Sequence, residues 1–365
     1  MLTHSNKLTK IKSQYPLEAI APLNEIVFFD IETTGFSAAS STLYLIGCAY
    51  YEANAFHTIQ WFGEDRDDEE RILVHFFEFI NKFKYLLHYN GAHFDIPYIM
   101  KKVQKYQLDF SFDAFESIDI YKMISPYKSF LALDNLKQKT IETFLQIKRT
   151  DTYDGGQLIS VYHDYVKSPT VYNRELLLLH NADDLAGMLL ILPVLAYYDL
   201  FHKPFSIKEA VLNEYTDFDG HTQNEILISC TTEVSIPRPV TFQKEGCSLI
   251  CQKSSMKLRI PIYHKELKYF YPNPKDYYYL PDEDVAIHKS VAAYVAPSHR
   301  INATLATCYT KKKEQYLPQW DALFEPAFKE DYRDKHQFFP FDEAILTDMD
   351  TLSTYCSHIL EKLFT

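Results

Sequence analysis

The stretch Phe28-Phe29-Asp30-Ile31-Glu32-Thr33-Thr34-Gly35 decides how the first half of this chain is interpreted. It continues an apolar run that starts after Glu25, and such a run predicts a buried strand. Because strand side chains alternate between the two faces, Asp30 and Glu32 are expected to point to the same side of the sheet. Two carboxylates on one face repel each other unless cations lie between them. The stretch therefore predicts either an acidic, cation-binding strand end or an ordinary polar one.

A second acid follows another predicted strand. Residues 84–89 form an apolar run, Asn90-Gly91 predicts a turn, and Asp95 opens a predicted helix over residues 96–106. In open α/β sheets, ligands bind beyond the carboxyl ends of the strands. Asp95 is therefore interpreted either as a second acid of the same site or as an N-cap aspartate, which is common.

A third group of polar side chains lies in a predicted helix over residues 172–198. His180 and Asp184 are four residues apart and therefore share one face of that helix. An imidazole titrates near neutrality, which suits a general base. The alternative is a surface ion pair. Asp183, directly before Asp184, is an alternative ligand.

The three groups occur in an order that resembles a known superfamily. Asp-Ile-Glu-Thr-Thr-Gly at 30–35, Asn-Gly-x-x-Phe-Asp at 90–95 and His-x-x-x-Asp at 180–184 look like the three exonuclease motifs of the DEDD superfamily. More narrowly, the chain resembles the YprB-like ribonuclease H-like family, which is related to mitomycin-repair exonucleases. The resemblance covers residues 24–200 and includes the segments 136–142 and 149–156 between the second and third motifs.

The resemblance implies a role for each matching position. Asp30, Glu32, Asp95 and Asp184 match the metal-binding acids, and His180 matches the catalytic base. Two Mg²⁺ or Mn²⁺ ions are the implied cofactors, and carboxylate oxygens suit either metal. The spacing of His and Asp is that of the superfamily's tyrosine branch, although the base is a histidine, so the subclass stays open.

The implied activity is a metal-dependent 3′→5′ exonuclease that hydrolyses terminal phosphodiesters by a two-metal mechanism. DNA is the favoured substrate and repair the favoured context, with a single strand or a 3′ end as the bound partner and a helicase as a protein partner. Two alternatives stay open: a structure-selective endonuclease or RNase H-like ribonuclease, and a non-catalytic adaptor that binds nucleic acid or a helicase. The expected substrate contacts are Thr33, Asn90, Phe94, Lys139 and Arg149.

The order of the predicted elements indicates the fold class. Three strands (25–30, 43–51, 56–62) precede alternating helices (67–83, 96–106, 133–147, 172–198) and strands (84–89, 117–121), which is typical of an α/β domain. We predict an RNase H-like mixed sheet flanked by helices, with a second β-rich C-terminal domain. The expected boundaries are a lead-in over 1–24, the RNase H-like domain over 25–203, a β-rich domain of unknown role over 204–341 and a C-terminal helix over 342–365. Short strands are expected in the β-rich domain at 225–230, 232–236, 247–251, 257–263, 277–280 and 304–309.

Composition limits the alternatives. The chain has 365 residues, a formal net charge of −12 and a pI of about 5.6. A general polyanion binder is therefore not expected, because phosphate affinity comes from clustered Lys and Arg. The six cysteines form no CxxC pair, so we expect reduced thiols and a cytoplasmic protein. There is no run of eighteen or more apolar residues, and no membrane span is expected.

Overall fold

The structure is a computed structural model that describes residues 1–8, 15–148, 155–216 and 219–364. The chain divides into two compact units. The first comprises Met1–His202 together with Ile236–Arg238, and the second comprises Lys203–Ser235 together with Pro239–Thr365. The first unit is a mixed sheet flanked by helices, and the second is built from antiparallel strands, so the predicted fold class is confirmed.

The first unit contains a six-stranded sheet in the order β1-β4-β3-β2-β5-β6. Strands β2, β3 and β4 form an antiparallel meander, with β1 antiparallel at its edge, whereas β5 and β6 run parallel to β2. Strand β2, which carries the first acidic pair, is therefore central in the sheet. The strands are β1 (Leu2–Leu8), β2 (Ile26–Thr33), β3 (Leu43–Glu52), β4 (Ala55–Phe62), β5 (Tyr85–His88) and β6 (Glu116–Asp119).

Helices cover both faces of this sheet. Helices α1 and α2 pack with Val27, Phe29 and Ile31 in one apolar core, while α6 contacts β2, β3 and β4. Burying each large apolar side chain of this kind contributes roughly 1.5–3 kcal/mol. The alternation of β2 therefore turns Val27, Phe29 and Ile31 towards α1 and α2, and Asp30 and Glu32 towards the face that α6 covers. The helices are α1 (Glu69–Ile80), α2 (Asp95–Lys105), α3 (Ile120–Ile124), α4 (Gln138–Phe144), α5 (Gly155–Lys167), α6 (Val171–Ile191) and α7 (Leu195–His202).

Helix α6 begins where the Thr170 side chain accepts a hydrogen bond from the backbone N–H of Asn173. Its C-terminal end passes through a 3₁₀ turn that contains Pro193, as expected for a residue without an N–H. The segment Val171–His202 is long and apolar enough to cross a membrane by length and composition, with a mean hydropathy of 1.6. Within the protein 67% of that window is buried, which is typical of the core helix of a globular domain.

The second unit is dominated by a seven-stranded antiparallel sheet, in which β11 pairs with β8, β10 and β15. A separate three-stranded sheet has the order β13-β12-β14. The elements are β7 (Phe205–Thr216), β8 (Thr222–Thr232), β9 (Val240–Lys244), β10 (Cys247–Gln252), β11 (Ser255–Phe270), β12 (Tyr277–Leu280), β13 (Val285–His288), β14 (Ile301–Asn302), β15 (Tyr309–Gln319), β16 (Gln337–Pro340) and helix α8 (Met349–Phe364).

The prediction of a helix over residues 133–147 is wrong at both ends, because α4 covers only Gln138–Phe144. The Asn135 side chain accepts hydrogen bonds from the backbone N–H of Lys137 and from the hydroxyl of Thr140. Such local bonds offer the backbone an alternative to the helix, so the chain turns before α4 begins.

The predictions of strands over residues 232–236 and 304–309 in the second unit are also wrong for most of their length. Strand β8 ends at Thr232, whose hydroxyl bonds the carbonyl of Val234 and turns the chain away from the sheet. Residues 304–307 form a turn in which the backbone N–H of Thr304 donates to the hydroxyl of Thr307. Strand β15 starts only at Tyr309.

Candidate active site

The first acidic pair lies in the middle of the sheet, on the face that α6 covers. Ile31 is buried in the core beneath α1 and α2, so Asp30 and Glu32 on either side of it point to the opposite face. Glu32 is only 9% exposed. Burial and the nearby carboxylates of Asp184, Glu32 and Asp95 raise the pKa of Asp30 well above its usual range.

Asp95 reaches this pair from the first residue of α2. Its carboxylate accepts a hydrogen bond from the backbone N–H of Ile31, the residue between Asp30 and Glu32. Burial raises the pKa of Asp95 to about 7, against the hydrogen bonds from the backbone that lower it. The second acid is therefore fixed to the strand that carries the first two.

A tight turn between β5 and α2 places Asp95. Asn90 adopts a left-handed conformation with φ of +61°, which asparagine tolerates better than most residues. At Gly91 a Cβ atom would lie 2.8 Å from the ring of His88, so a side chain has no room there. The turn predicted at Asn90-Gly91 thus follows from the conformation of the first residue and the space at the second.

Asp119, at the end of β6, organises the same turn from the neighbouring strand. Its carboxylate accepts hydrogen bonds from the backbone N–H of Asn90 at 2.9 Å and of Ala92 at 3.3 Å. It also caps α3 by accepting from the backbone N–H of Lys122 at 3.4 Å. Asp119 was not among the predicted site residues, although it is an acid within the strand predicted over residues 117–121.

The third motif completes the cluster from α6. The Nε2 atom of His180 lies 3.4 Å from a carboxylate oxygen of Asp184 and 3.8 Å from one of Glu32. Donor atoms of Glu32, His180 and Asp184 all lie within 4.8 Å of one another. The geometry thus joins Asp184 to His180 and Glu32, whereas Asp183 is not a member of that group.

The structure therefore brings together the five residues predicted for catalysis and metal binding, which come from β2, α2 and α6: Asp30, Glu32, Asp95, His180 and Asp184. Clustered carboxylate oxygens are the donors that hard divalent cations prefer. Glu32 and Asp184 are close enough together to hold a metal ion, with the His180 ring beside them, and Asp30 is close enough to interact electrostatically with both carboxylates.

Two of the predicted substrate contacts, Thr33 and Phe94, are sequence neighbours of the acids Glu32 and Asp95. Thr33 donates through its hydroxyl to the carbonyl of Gly35 at 3.0 Å, which fastens the loop after β2. Phe94 lies directly before Asp95, and its ring meets that of Phe36 edge to face at 6.1 Å. Phe36 itself is 93% exposed. An exposed aromatic ring next to the acids could stack on a terminal base.

The two predicted basic contacts lie between the second and third motifs. Lys139 is an exposed residue of α4. Its neighbour Gln138 donates to the backbone carbonyl of Asp184 at 2.9 Å, so α4 is tied directly to the motif-bearing part of α6. Arg149 lies outside the described residues.

Gly47, Gln60 and Asn181 also belong to the site, although none of them was predicted from the sequence. Asp30 pairs with Gly47 on β3, and Gly47 pairs with Gln60 on β4. Asn181, fully buried on α6, donates to Asp30 at 2.8 Å and accepts from Gln60 at 2.9 Å. An isolated glycine within a strand indicates close approach of another group, and Gly47 was therefore a usable signal.

With this geometry established, the chain can be compared with known proteins. A family model of the RNase_H superfamily matches residues 27–196. The predicted RNase H-like mixed sheet flanked by helices is confirmed for that stretch. No curated protein matches the chain.

Several solved structures are similar to this chain at low identity. A family B DNA polymerase from the archaeon Pyrobaculum calidifontis is 16% identical with a TM-score of 0.39, over 49% of this chain and 25% of the polymerase. The zinc-bound complex of E. coli exonuclease I with single-stranded DNA is 13% identical with a TM-score of 0.28, over 56% of this chain and 54% of that chain. An ExoI/SSB-Ct complex is 11% identical with a TM-score of 0.28, over 93% and 70%. Similarities this low assign no activity by themselves.

Proposed function

We propose that this chain is a metal-dependent nuclease, and more narrowly a 3′→5′ exonuclease of the DEDD type. One observation carries the proposal. Acids that lie up to 154 positions apart in the sequence, at 30, 32, 95 and 184, converge with His180 at the central strand β2. Burying several carboxylates together is unfavourable unless cations neutralise them, so the site is one that binding of divalent ions would stabilise.

Carboxylate oxygens suit Mg²⁺ or Mn²⁺, and Asp30, Glu32, Asp95 and Asp184 would hold the two ions that the motifs imply. When bound, such a pair of ions would stabilise the charge on the attacking and leaving oxygens of an in-line displacement. His180 is the candidate base, since its Nε2 atom faces the space between Glu32 and Asp184 and can take the proton of the attacking water. Asp184, 3.4 Å away, would then stabilise the imidazolium.

The action at a terminus is proposed from the resemblance of the motifs and from the surface beside the acids. Phe36 and Phe94, which lie four residues after Glu32 and directly before Asp95 in the sequence, meet edge to face, and base stacking on aromatic rings is tolerant of sequence. DNA is the favoured substrate, with a single strand or a 3′ end as the bound form. The YprB-like subfamily, a repair context and a helicase as protein partner stay predictions.

An activity panel tests the proposal. The purified protein is given single- and double-stranded DNA and RNA, labelled at either end, and closed circular single strands, each with Mg²⁺, Mn²⁺ or a chelator. We expect nucleoside 5′-monophosphates from the 3′ end, only with metal, and intact circles. Cleavage of the circles would identify the endonuclease alternative instead. Metal-dependent nucleic-acid binding without any cleavage would identify the adaptor.

Asp30→Asn and Asp184→Asn are the matched variants for this panel, because each keeps the shape of the side chain while removing the charge. Both should lose metal-dependent release. Asp109→Asn, a change at an exposed carboxylate outside the cluster, is the control. Full cleavage by the purified Asp30→Asn or Asp184→Asn protein would exclude this site as the nuclease centre.

A further inference from the structure

Asn181 lies one position after His180 on α6 and therefore points about 100° around the helix from the face that His180 shares with Asp184. It is completely buried. Its side-chain amide donates from Nδ2 to an oxygen of the Asp30 carboxylate at 2.8 Å. The residue thus touches the acid that is central to the proposed metal site.

The orientation of this amide is fixed by Gln60. The Nε2 atom of Gln60 donates to the backbone carbonyl of Leu178 at 2.9 Å and to Oδ1 of Asn181 at 2.9 Å. A backbone carbonyl only accepts hydrogen bonds, so the group that faces Leu178 must be the NH₂ of Gln60. The Asn181 atom that faces this NH₂ must then be the oxygen. Consequently the NH₂ of Asn181 is the group that faces Asp30.

Gly47 makes this bridge possible. Asp30, Gly47 and Gln60 are aligned across β2, β3 and β4 and share one face of the sheet. A Cβ atom at Gly47 would lie 1.9 Å from Oδ1 of Asn181, which no side chain can tolerate. The φ angle of Gly47 is not in the left-handed region, so space and not backbone conformation requires glycine at this position.

We propose that Asn181 is a positioning residue for Asp30, oriented by Gln60 and accommodated by Gly47. Its hydrogen bond to one oxygen restricts rotation of the Asp30 carboxylate, so that the other oxygen keeps its place for a metal ion. Partners that orient a metal ligand in this way typically contribute about 10–100-fold to metal affinity. The inference rests on the proposed function, because it assumes that Asp30 binds a divalent ion.

Titration calorimetry with Mn²⁺ on the full chain tests the proposal, together with thermal unfolding of each metal-free variant. The variants are Asn181→Leu, Gln60→Leu and the double variant. Thr58→Val is the matched control, because Thr58 lies on β4 two residues from Gln60 and is equally buried. Its hydroxyl has no hydrogen-bond partner among the residues that the structure describes.

Asn181→Leu should weaken Mn²⁺ binding by about 10–100-fold. Gln60→Leu should weaken it less, because the Asn181 amide remains but is free to rotate. The double variant should bind Mn²⁺ as weakly as Asn181→Leu alone, since Gln60 acts through Asn181. Thr58→Val should bind Mn²⁺ like the wild type. A purely structural role would lower the unfolding temperature and leave the Mn²⁺ affinity of the folded protein unchanged.

The inference is overturned if Asn181→Leu binds Mn²⁺ as tightly as Thr58→Val does. It is also overturned if the fold-losses of Mn²⁺ affinity in Asn181→Leu and Gln60→Leu multiply in the double variant. Asn181→Ala gives the same test if the leucine variant does not fold. Wild-type protein that binds no Mn²⁺ would overturn the proposed function and this inference together. Wild-type binding with an unaffected Asn181→Leu variant would overturn the inference alone.

Discussion

At the scale of single residues, the site concentrates buried acids whose ionisation the fold opposes. Burial raises the pKa of Asp95 to about 7, and burial with three neighbouring carboxylates raises that of Asp30. Between the ordinary pKa of an aspartate and these raised values, the folded chain holds protons that the unfolded chain has released. The metal-free protein must therefore lose stability as the pH rises through this window.

The Asp95 carboxylate gives a pH prediction. Its folded pKa of about 7 lies above the ordinary value of 3.8, so the loss should occur between about pH 4 and pH 7, at about 1.4 kcal/mol per unit of pKa difference. Asp95→Asn should lose less stability over this range than the wild type. Urea unfolding at several pH values in chelator measures the effect, with Asp109→Asn as an exposed control. Parallel stability curves for the wild type and Asp95→Asn would contradict the account.

His180 gives a prediction about rate. If its imidazole takes the proton of the attacking water, His180→Ala should lower the rate of a single turnover by roughly 10²–10⁴-fold at saturating Mn²⁺. The carboxylates of Asp30, Glu32 and Asp184 remain, so Mn²⁺ should still bind. His75→Ala, on the solvent-facing side of α1, is the control. A His180→Ala protein with an unchanged rate would show that the imidazole is not the base.

At the scale of elements, the strand and helix that carry each motif follow from local patterns, and the contacts between motifs do not. The apolar run before Asp30 predicts β2, and the alternation of a strand predicts that Asp30 and Glu32 share a face. The bond from the Ile31 N–H to Asp95 depends on where α2 docks. The Asn181–Gln60 contact joins residues 121 positions apart, so no local pattern could indicate it.

Prediction from local sequence also fails for polar segments that become strands by pairing with a neighbour. Strand β1 (Leu2–Leu8) consists mostly of polar and charged residues, and its sequence gave no strand signal. It forms because it pairs along its whole length with β4 at the edge of the sheet. Conversely, the apolar spacing over 133–147 predicted a longer helix than α4, because the hydrogen bonds of Asn135 compete with the helix.

The turn between β5 and α2 gives a prediction at this scale. Asp119→Ala removes the acceptor of the Asn90 N–H and the cap of α3. The free energy of unfolding should fall by roughly 1–3 kcal/mol, because the half-buried N–H of Asn90 loses its acceptor and α3 loses its cap. Asp119→Asn keeps one acceptor oxygen and should lose less. Urea unfolding of the metal-free proteins measures both changes, and an Asp119→Ala protein as stable as the wild type would disprove this role.

At the scale of the whole molecule, the chain is acidic, with a formal net charge of −12. Such a surface repels a polyanion, and the acids of the site add to that repulsion. Bound divalent cations reverse the local field where the acids cluster. Engagement of a nucleic-acid end should therefore depend on the metal before any chemistry takes place. The fold class could be predicted from the order of elements. That the acids of the three motifs lie close together could not, because it depends on where α2 and α6 pack against the sheet.

The most direct test of that convergence is anomalous diffraction from crystals of the full chain soaked in Mn²⁺. The account predicts two manganese peaks roughly 3.5–4 Å apart, both within coordination distance of Asp30, with Glu32, Asp95 and Asp184 completing their ligands. Peaks elsewhere on the protein, or no peak beside Asp30 at saturating Mn²⁺, would contradict it.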